Sequence, residues 1–167
     1  MNDKKNKIFM VEDNEIFALA TSKSIEAHLD CEVKVYSSGE AMLKELHEKP
    51  DLLILDLNLS VDGSSFDGKQ VLEIVKSIKS TIPVVILTSS NEIKTSLDLI
   101  KRGAVDFIQK NNNYFPNLIE SISAILKLKT ISNDLRDVKK HTRKKQRRIV
   151  IASLFFTAIL FACMFIC

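Results

Sequence analysis

Polar side chains follow four short apolar runs of the sequence, at the point where each run ends. Glu12 and Asp13 follow KIFMV, Asp56 follows DLLIL, Thr88 follows PVVIL and Lys110 follows VDFIQ. A carboxylate beside a buried apolar run is costly unless it is paired or bound to a metal, and three converging carboxylates repel one another. A divalent cation would resolve both problems, and carboxylate oxygens without a neighbouring histidine or cysteine favour Mg²⁺. These residues therefore predict a magnesium site.

The apolar runs themselves predict the strands of a parallel sheet. Runs rich in Val, Ile, Leu and Phe alternate with longer segments that have apolar residues at helical spacing, such as Ile93, Leu97 and Ile100. The predicted strands are residues 7–11, 32–36, 52–55, 82–87 and 105–108, and the predicted helices are residues 14–29, 39–49, 69–79 and 92–102. This alternation favours right-handed crossovers with helices on both faces of the sheet. The expected fold is a doubly wound, five-stranded α/β domain whose reactive edge lies at the carboxyl ends of the strands.

Several motifs at these strand ends resemble the receiver domain of two-component response regulators. They are Val11-Glu12-Asp13, Leu55-Asp56, Leu87-Thr88-Ser89 and the run AVDFIQK at residues 104–110. The resemblance covers residues 6–127 and implies a flavodoxin-like, CheY-like sheet with the strand order 2-1-3-4-5. It also implies that a sensor histidine kinase or a phosphotransfer protein transfers a phosphoryl group to Asp56.

The resemblance also implies a role for individual residues at the sheet edge. Asp13 and Asp56 would bind Mg²⁺ directly, together with the backbone carbonyl of Asn58. Glu12 would contribute to the metal site through water. Phe107 would be a switch aromatic that moves inward when Thr88 shifts toward the phosphoryl group.

The chemistry of these side chains agrees with the implied roles. The carboxylate of Asp56 can form an acyl phosphate. Lys110 can place its ammonium group on a phosphoryl oxygen, Thr88 can donate its hydroxyl to another, and the small Ser89 leaves room for the phosphate. Taken singly, each residue has a simpler interpretation as a turn or cap residue, a solvated loop cation or, for Phe107, a core aromatic. Their joint occurrence at one sheet edge favours the receiver interpretation.

Two features of the sequence differ from the receiver pattern. The loop at residues 58–68, NLSVDGSSFDG, is longer than usual and lacks proline, so access to Asp56 is expected to be altered. Its acidic residues, Asp62 and Asp67, are expected to be exposed loop residues rather than metal ligands. The receiver lysine is commonly followed by a cis proline, whereas Lys110 precedes Asn111. A looser placement of the lysine is therefore expected.

The last 19 residues, 149–167, contain no charged side chain. As a helix they would extend about 28 Å, close to the roughly 30 Å thickness of a bilayer core, and a buried core helix is the alternative. The preceding run KKHTRKKQRR, residues 139–148, places the N-terminal domain in the cytoplasm by the positive-inside rule. The sequence therefore predicts a single-pass C-terminal transmembrane helix in the cell (inner) membrane. We expect the basic run to contact anionic lipid rather than nucleic acid, because it has no interleaved aromatic residues.

A long helix is predicted after Pro116. Its first apolar residues, Leu118, Ile122 and Ile125, are expected to cover the sheet. Further apolar residues continue with 3, 4, 3 spacing at Leu128, Ile131, Leu135 and Val138. This spacing resembles a short coiled-coil seam, and an amphipathic stalk is the alternative. Residues 128–148 are thus expected to form a helical stalk, and the pattern allows a homodimer through residues 118–142.

These features together predict a membrane-anchored single-domain response regulator. With 46% hydrophobic and 27% charged residues, the composition excludes a disordered or collagen-like chain. Output is expected through phosphorylation-dependent contact with an unidentified downstream protein. No enzymatic activity is expected beyond hydrolysis of its own acyl phosphate. The alternative is a receiver-like membrane adaptor that is not phosphorylated, but the presence of Asp13, Asp56, Thr88 and Lys110 favours the first interpretation.

Overall fold

The structure is a computed structural model that describes residues 5–59, 66–78, 81–89 and 93–166, without the side chains of residues 93–96, 149 and 152–166. Strands and helices alternate along the described chain. In order they are β1 (Asn6–Val11), α1 (Glu15–His28), β2 (Cys31–Tyr36), α2 (Gly39–Glu45) with a 3₁₀ turn (Leu46–Glu48), β3 (Leu52–Asp56), α3 (Gly68–Ser77), β4 (Val84–Thr88), α4 (Ile93–Lys101), β5 (Asp106–Gln109) and α5 (Tyr114–Ile166). The predicted boundaries differ from these by a few residues.

The strands form one parallel sheet with the order β2-β1-β3-β4-β5, which confirms the predicted topology. The register places Val11 beside both Tyr36 and Leu55, and Asp56 beside Leu87. The carboxyl ends of the three central strands therefore meet at one edge, where the predicted site residues lie.

Helices cover both faces of the sheet, so the strands are buried on both sides. Every residue of β3 and β4 is buried. One core cluster includes Phe9, Leu53 and Val71, and the other includes Leu118 and Ile122 of α5. The predicted contact of Leu118 and Ile122 with the domain is thus confirmed. Burial on both faces explains why these strands are continuous apolar runs rather than alternating ones.

Side-chain caps fix the starts of the helices near the sheet edge. The side chain of Asn14 accepts a hydrogen bond from the backbone N–H of Phe17 at the start of α1. Asp67 and Gln70 form a reciprocal capping box at the start of α3. Asp67 is therefore a helix cap, whereas Asp62 lies outside the described residues.

The helix predicted from the spacing of Leu97 and Ile100 is present as α4, and both residues lie at the surface, 58% and 42% exposed, whereas Leu99 is buried. The predicted start of the last helix needs correction. The last helix begins at Tyr114 rather than after Pro116. Proline fits in the first turn because its missing N–H would have no partner within the helix there.

Residues 127–167 form a second compact unit, separate from the unit of residues 1–126. The four seam residues predicted within it, Leu128, Ile131, Leu135 and Val138, are all exposed. The basic residues 139–148 are exposed as well.

The predicted membrane anchor is contradicted. Among the residues that the structure describes, no helix combines the length and the apolar character needed to cross a bilayer. Residues 149–166 are the end of the 53-residue helix α5, whose earlier part is rich in charged residues, rather than a separate apolar helix. Of this segment, the side chains of Val150 and Ile151 are described, and the others lie outside the described residues. The predictions of a transmembrane helix at residues 149–167 and of an inner-membrane location are therefore wrong.

Candidate functional site

Three carboxylates meet where β1 and β3 end. Glu12 and Asp13 directly follow β1, and Asp56 is the last residue of β3. One oxygen atom from each lies within 4.8 Å of the others. Glu12 and Asp56 are buried, whereas Asp13 is half-buried. The structure thus brings together the three acidic residues predicted from the sequence.

Lys110 occupies this cluster from the end of β5. Its Nζ donates a hydrogen bond of 2.7 Å to Oε2 of Glu12 and another of 2.7 Å to Oδ2 of Asp56. Its backbone N–H donates to the carbonyl of Thr88 at 2.7 Å. The lysine is therefore held at both its backbone and its ammonium group, in contrast to the looser placement expected from the absence of proline after it.

Burial and charge act against each other in this cluster. Burial raises the pKa of Glu12, the nearby charge of Asp56 acts in the same direction, and the hydrogen bond from Lys110 opposes both. Burial alone would lower the pKa of Lys110, but its hydrogen bonds to Asp56 and Glu12 outweigh burial and raise the pKa. The lysine therefore stays charged and compensates part of the negative charge.

The second oxygen of Asp56 faces the loop that follows β3. The backbone N–H of Asn58 donates to Oδ1 of Asp56 at 3.0 Å. The side-chain Nδ2 of Asn58 donates to Oγ of Ser89 at 2.6 Å, so the loops after β3 and β4 are joined beside Asp56. The predicted contribution of the Asn58 carbonyl to a metal site stays a prediction.

The two predicted switch residues lie on neighbouring strands. Thr88 is buried at the end of β4, beside Gln109 of β5. Phe107 of β5 is 39% exposed, so the simpler interpretation of it as a core aromatic does not hold.

Helix α3 begins in close contact with the end of β3. A Cβ atom built on Gly68 would lie 2.3 Å from the backbone oxygen of Asp56 and 2.7 Å from Cα of Leu57. Only glycine fits at such distances, because backbone atoms cannot move aside as a flexible side chain can. The importance of Gly68 was not predicted from the sequence. The available signal was a glycine at the start of the helix that follows the loop after Asp56.

An aromatic contact to Lys110 was also not foreseen. Its Nζ lies 4.5 Å from the centroid of the Phe17 ring, and that ring packs against Tyr114. The available signal was the position of Phe17, in the first turn of the helix that follows the acidic pair.

The acidic cluster fits a hard divalent cation. Its three side chains supply only carboxylate oxygens, which are the ligands that Mg²⁺ prefers in proteins. The one nearby cation, among the residues that the structure describes, is Lys110, whose single charge does not balance three carboxylates. The residues present therefore agree with the Mg²⁺ ion predicted from the sequence.

Comparisons with known proteins agree with this geometry. Residues 8–123 match the sequence profile of the response regulator receiver domain. An NtrX-like response regulator from Rickettsia typhi is 36% identical over 105 residues, which are 62% of this chain and 22% of that protein. The regulatory protein LuxO from Vibrio cholerae is 29% identical over 127 residues, which are 75% of this chain and 27% of that protein. This chain thus spans about a quarter of the length of these relatives.

A solved structure shows the same fold. The receiver domain of NtrX from Brucella abortus superposes with a TM-score of 0.63 at 28% identity. The superposition covers 72% of this chain and 98% of that domain.

Proposed function

The chain belongs to the response regulator receiver domain family, and from this premise we propose that Asp56 accepts a phosphoryl group from a histidine kinase or a phosphotransfer protein. The observation that carries the proposal is the buried Asp56 carboxylate, which lies within an acidic cluster and is hydrogen-bonded to Lys110. In the transfer, one carboxylate oxygen of Asp56 forms a bond to phosphorus. The bond from phosphorus to the leaving atom of the donor breaks, and that atom keeps the electron pair.

The surrounding residues would position the reactants and neutralise charge. Glu12, Asp13 and Asp56 would hold Mg²⁺ with the carbonyl of Asn58. When bound, the ion offsets negative charge on the acceptor and the incoming phosphoryl group. The ammonium group of Lys110 would bind one phosphoryl oxygen, and the hydroxyl of Thr88 would bind another. The Lys110 contact would cost little reorganisation, because its ammonium group already lies at Asp56.

We propose that output uses the exposed apolar surface of α4 and β5. Leu97 and Ile100 of α4 and Val105 and Phe107 at β5 are each at least 39% exposed. An apolar surface of this kind is typical of a protein contact site. A shift of Thr88 toward the phosphoryl group would let Phe107 move inward and change this surface, which is how phosphorylation would reach a partner.

A second copy of the chain is the other partner that we propose. The predicted dimer segment, residues 118–142, is divided in the structure, because Leu118 and Ile122 are buried within the receiver unit. The remaining apolar residues of the segment, from Leu128 to Val138, are exposed and would form the contact with a second copy. Their 3, 4, 3 spacing matches the a and d positions of a coiled coil.

Intact-mass measurement of the full chain tests the acceptor. The protein is incubated with acetyl phosphate and Mg²⁺, and the expected result is a single phosphoryl adduct that is absent without metal and absent in Asp56→Ala. The exposed aspartate Asp30 provides the matched control Asp30→Ala, which should form the adduct normally. A folded wild-type chain that forms no adduct would contradict the proposal and favour an adaptor that works without phosphorylation.

A further inference from the structure

The ammonium group of Lys110 has an aromatic neighbour in addition to its two carboxylate partners. Its Nζ lies 4.5 Å from the centroid of the Phe17 ring. A cation within about 6 Å of a ring centroid is attracted by the ring's electrons, and more strongly when it is shielded from water. The side chain of Lys110 is 18% exposed, so this contact is largely shielded from solvent.

The Phe17 ring is itself fixed by contacts on two sides. The backbone N–H of Phe17 donates to Oδ1 of Asn14 at 3.0 Å, which sets the first turn of α1. Its ring packs against the ring of Tyr114 with centroids 5.3 Å apart. The hydroxyl of Tyr114 lies 3.1 Å from Oγ1 of Thr21, one turn further along α1. The ring face is therefore oriented by α1 and by the first residue of α5.

The same contacts restrain the segment between Lys110 and α5. At one end, the backbone N–H of Lys110 is bonded to the carbonyl of Thr88. At the other end, the N–H of Tyr114 donates to the carbonyl of Asn111 at 3.1 Å. The Tyr114 side chain then ties this short loop to α1. Restraint at both ends keeps the flexible lysine side chain close to the acceptor.

We propose that Phe17 is a positioning residue for Lys110, and that its ring face, oriented by Tyr114, keeps the ammonium group at Asp56 for phosphoryl transfer. This inference rests on the proposed function of Asp56. Phe17 packs against the core as well, so a loss of packing must be separated from a loss of the ring's attraction for the cation.

Fluorinated phenylalanines at position 17 of the full chain make this separation. One, two or three ring fluorines withdraw electrons from the ring face and change its size little, so they weaken the cation contact. We expect the initial rate at which acetyl phosphate and Mg²⁺ form the phosphoryl adduct to fall stepwise along the series, by about fivefold in total. Equal rates along the series would overturn the inference.

Natural substitutions and a spectroscopic signal complete the test. We expect Phe17→Leu to slow formation of the adduct and Phe17→Tyr to keep the wild-type rate. The control Leu19→Ala should leave the rate unchanged, because Leu19 lies on the same helix and is 61% exposed. In the NMR spectrum, the Lys110 methylene protons next to Nζ should be shifted upfield by the ring in wild type and not in Phe17→Leu. An unshifted signal in wild type would overturn the inference even if no adduct formed. The absence of an adduct in every variant, with the signal present, would instead contradict only the proposed function of Asp56.

Discussion

Nζ of Lys110 lies 2.7 Å from Oδ2 of Asp56, so the carboxylate that we propose as the acceptor is already paired with a cation. The same ammonium group bonds Glu12, and both carboxylates are almost completely buried. Removing one partner of a buried ion pair leaves an uncompensated charge, which is strongly destabilising. One ammonium group against three carboxylates still leaves net negative charge, which a divalent cation can balance.

We therefore expect Lys110→Met to lower the free energy of unfolding by on the order of 3 kcal/mol in the absence of divalent cations. Mg²⁺ should recover part of this loss, because it supplies positive charge to the same carboxylates. Urea unfolding of wild type and Lys110→Met with and without Mg²⁺ measures both effects. Lys101→Met, at an exposed lysine of α4, is the control. If Mg²⁺ stabilised Lys110→Met no more than wild type, the link between the lysine and the metal site would be refuted.

The contact between Gly68 and the end of β3 gives a second prediction. Because an added Cβ would meet backbone atoms of Asp56 and Leu57, Gly68→Ala must displace either α3 or the end of β3 that carries Asp56. We expect a loss of about 1–3 kcal/mol in the free energy of unfolding and a slower reaction with acetyl phosphate. Lys69→Ala, one residue further in the same helix, should have little effect on either quantity. Wild-type stability and rate in Gly68→Ala would show that the start of α3 does not determine the position of Asp56.

The fold could be predicted from the sequence because its strongest signals are local. Strands such as LLIL in β3 are short, continuous and apolar, as strands buried on both faces must be. In α4, the spacing of Leu97 and Ile100 correctly predicted a helix, and the structure exposes both residues. Spacing shows that apolar residues share a helix face, but it does not show whether that face meets the core or a partner.

The part of the site that could be predicted consists of charged residues at strand ends, because the type of side chain alone indicates what it can bind. Asp13, Asp56 and Lys110 belong to this class, because parallel strands bring their carboxyl ends to a single edge. Phe17 and Gly68 were missed because their importance depends on distances between segments far apart in sequence. The predicted membrane anchor was wrong, because none of the helices among the described residues is apolar over a length sufficient to cross a bilayer, and residues 149–166 are the end of the long helix α5.

A hydrogen-bonded carboxylate outside the site gives a prediction about pH. Glu48 accepts hydrogen bonds from Nζ of Lys7 at 2.5 Å and Nζ of Lys34 at 2.9 Å, and these lower its pKa from 4.5 to about 2. Because the folded pKa lies below the ordinary value, the stabilisation is complete above pH 4.5 and is lost as the pH falls from 4.5 to about 2.

We accordingly expect the free energy of unfolding of Glu48→Gln to fall less steeply than that of wild type across this acid range. Urea unfolding at a series of pH values measures the two slopes. Glu120→Gln, at an exposed glutamate of α5, is the control and should keep the wild-type slope. High salt should reduce the difference because the Glu48 side chain is 26% exposed. Parallel curves for Glu48→Gln and wild type at low salt would refute the prediction.

The proposed dimer seam has charged neighbours that specify a register. With Leu128 and Leu135 at a positions and Ile131 and Val138 at d positions, Asp134 occupies a g position and Lys139 the following e position. In a parallel coiled coil these two positions face each other across the partner helices. Two symmetric pairs of opposite charge would therefore support a parallel homodimer in this register.

Exchanging the charges of Asp134 and Lys139 tests whether the partner of the seam is a second copy of the chain. Asp134→Lys would place lysines opposite each other, and we expect it to weaken self-association of the full chain about twofold to tenfold, as surface ion pairs of this kind allow. Adding Lys139→Asp to the same chain should restore the wild-type dissociation constant, because the opposite charges are then exchanged rather than lost. Leu135→Asp should abolish self-association, because it puts a charge into the apolar seam. Sedimentation equilibrium over a range of concentrations measures all four proteins. A wild-type chain that stays monomeric throughout, or an Asp134→Lys variant that associates as tightly as wild type, would refute this register and leave the exposed residues from Leu128 to Val138 to a different protein.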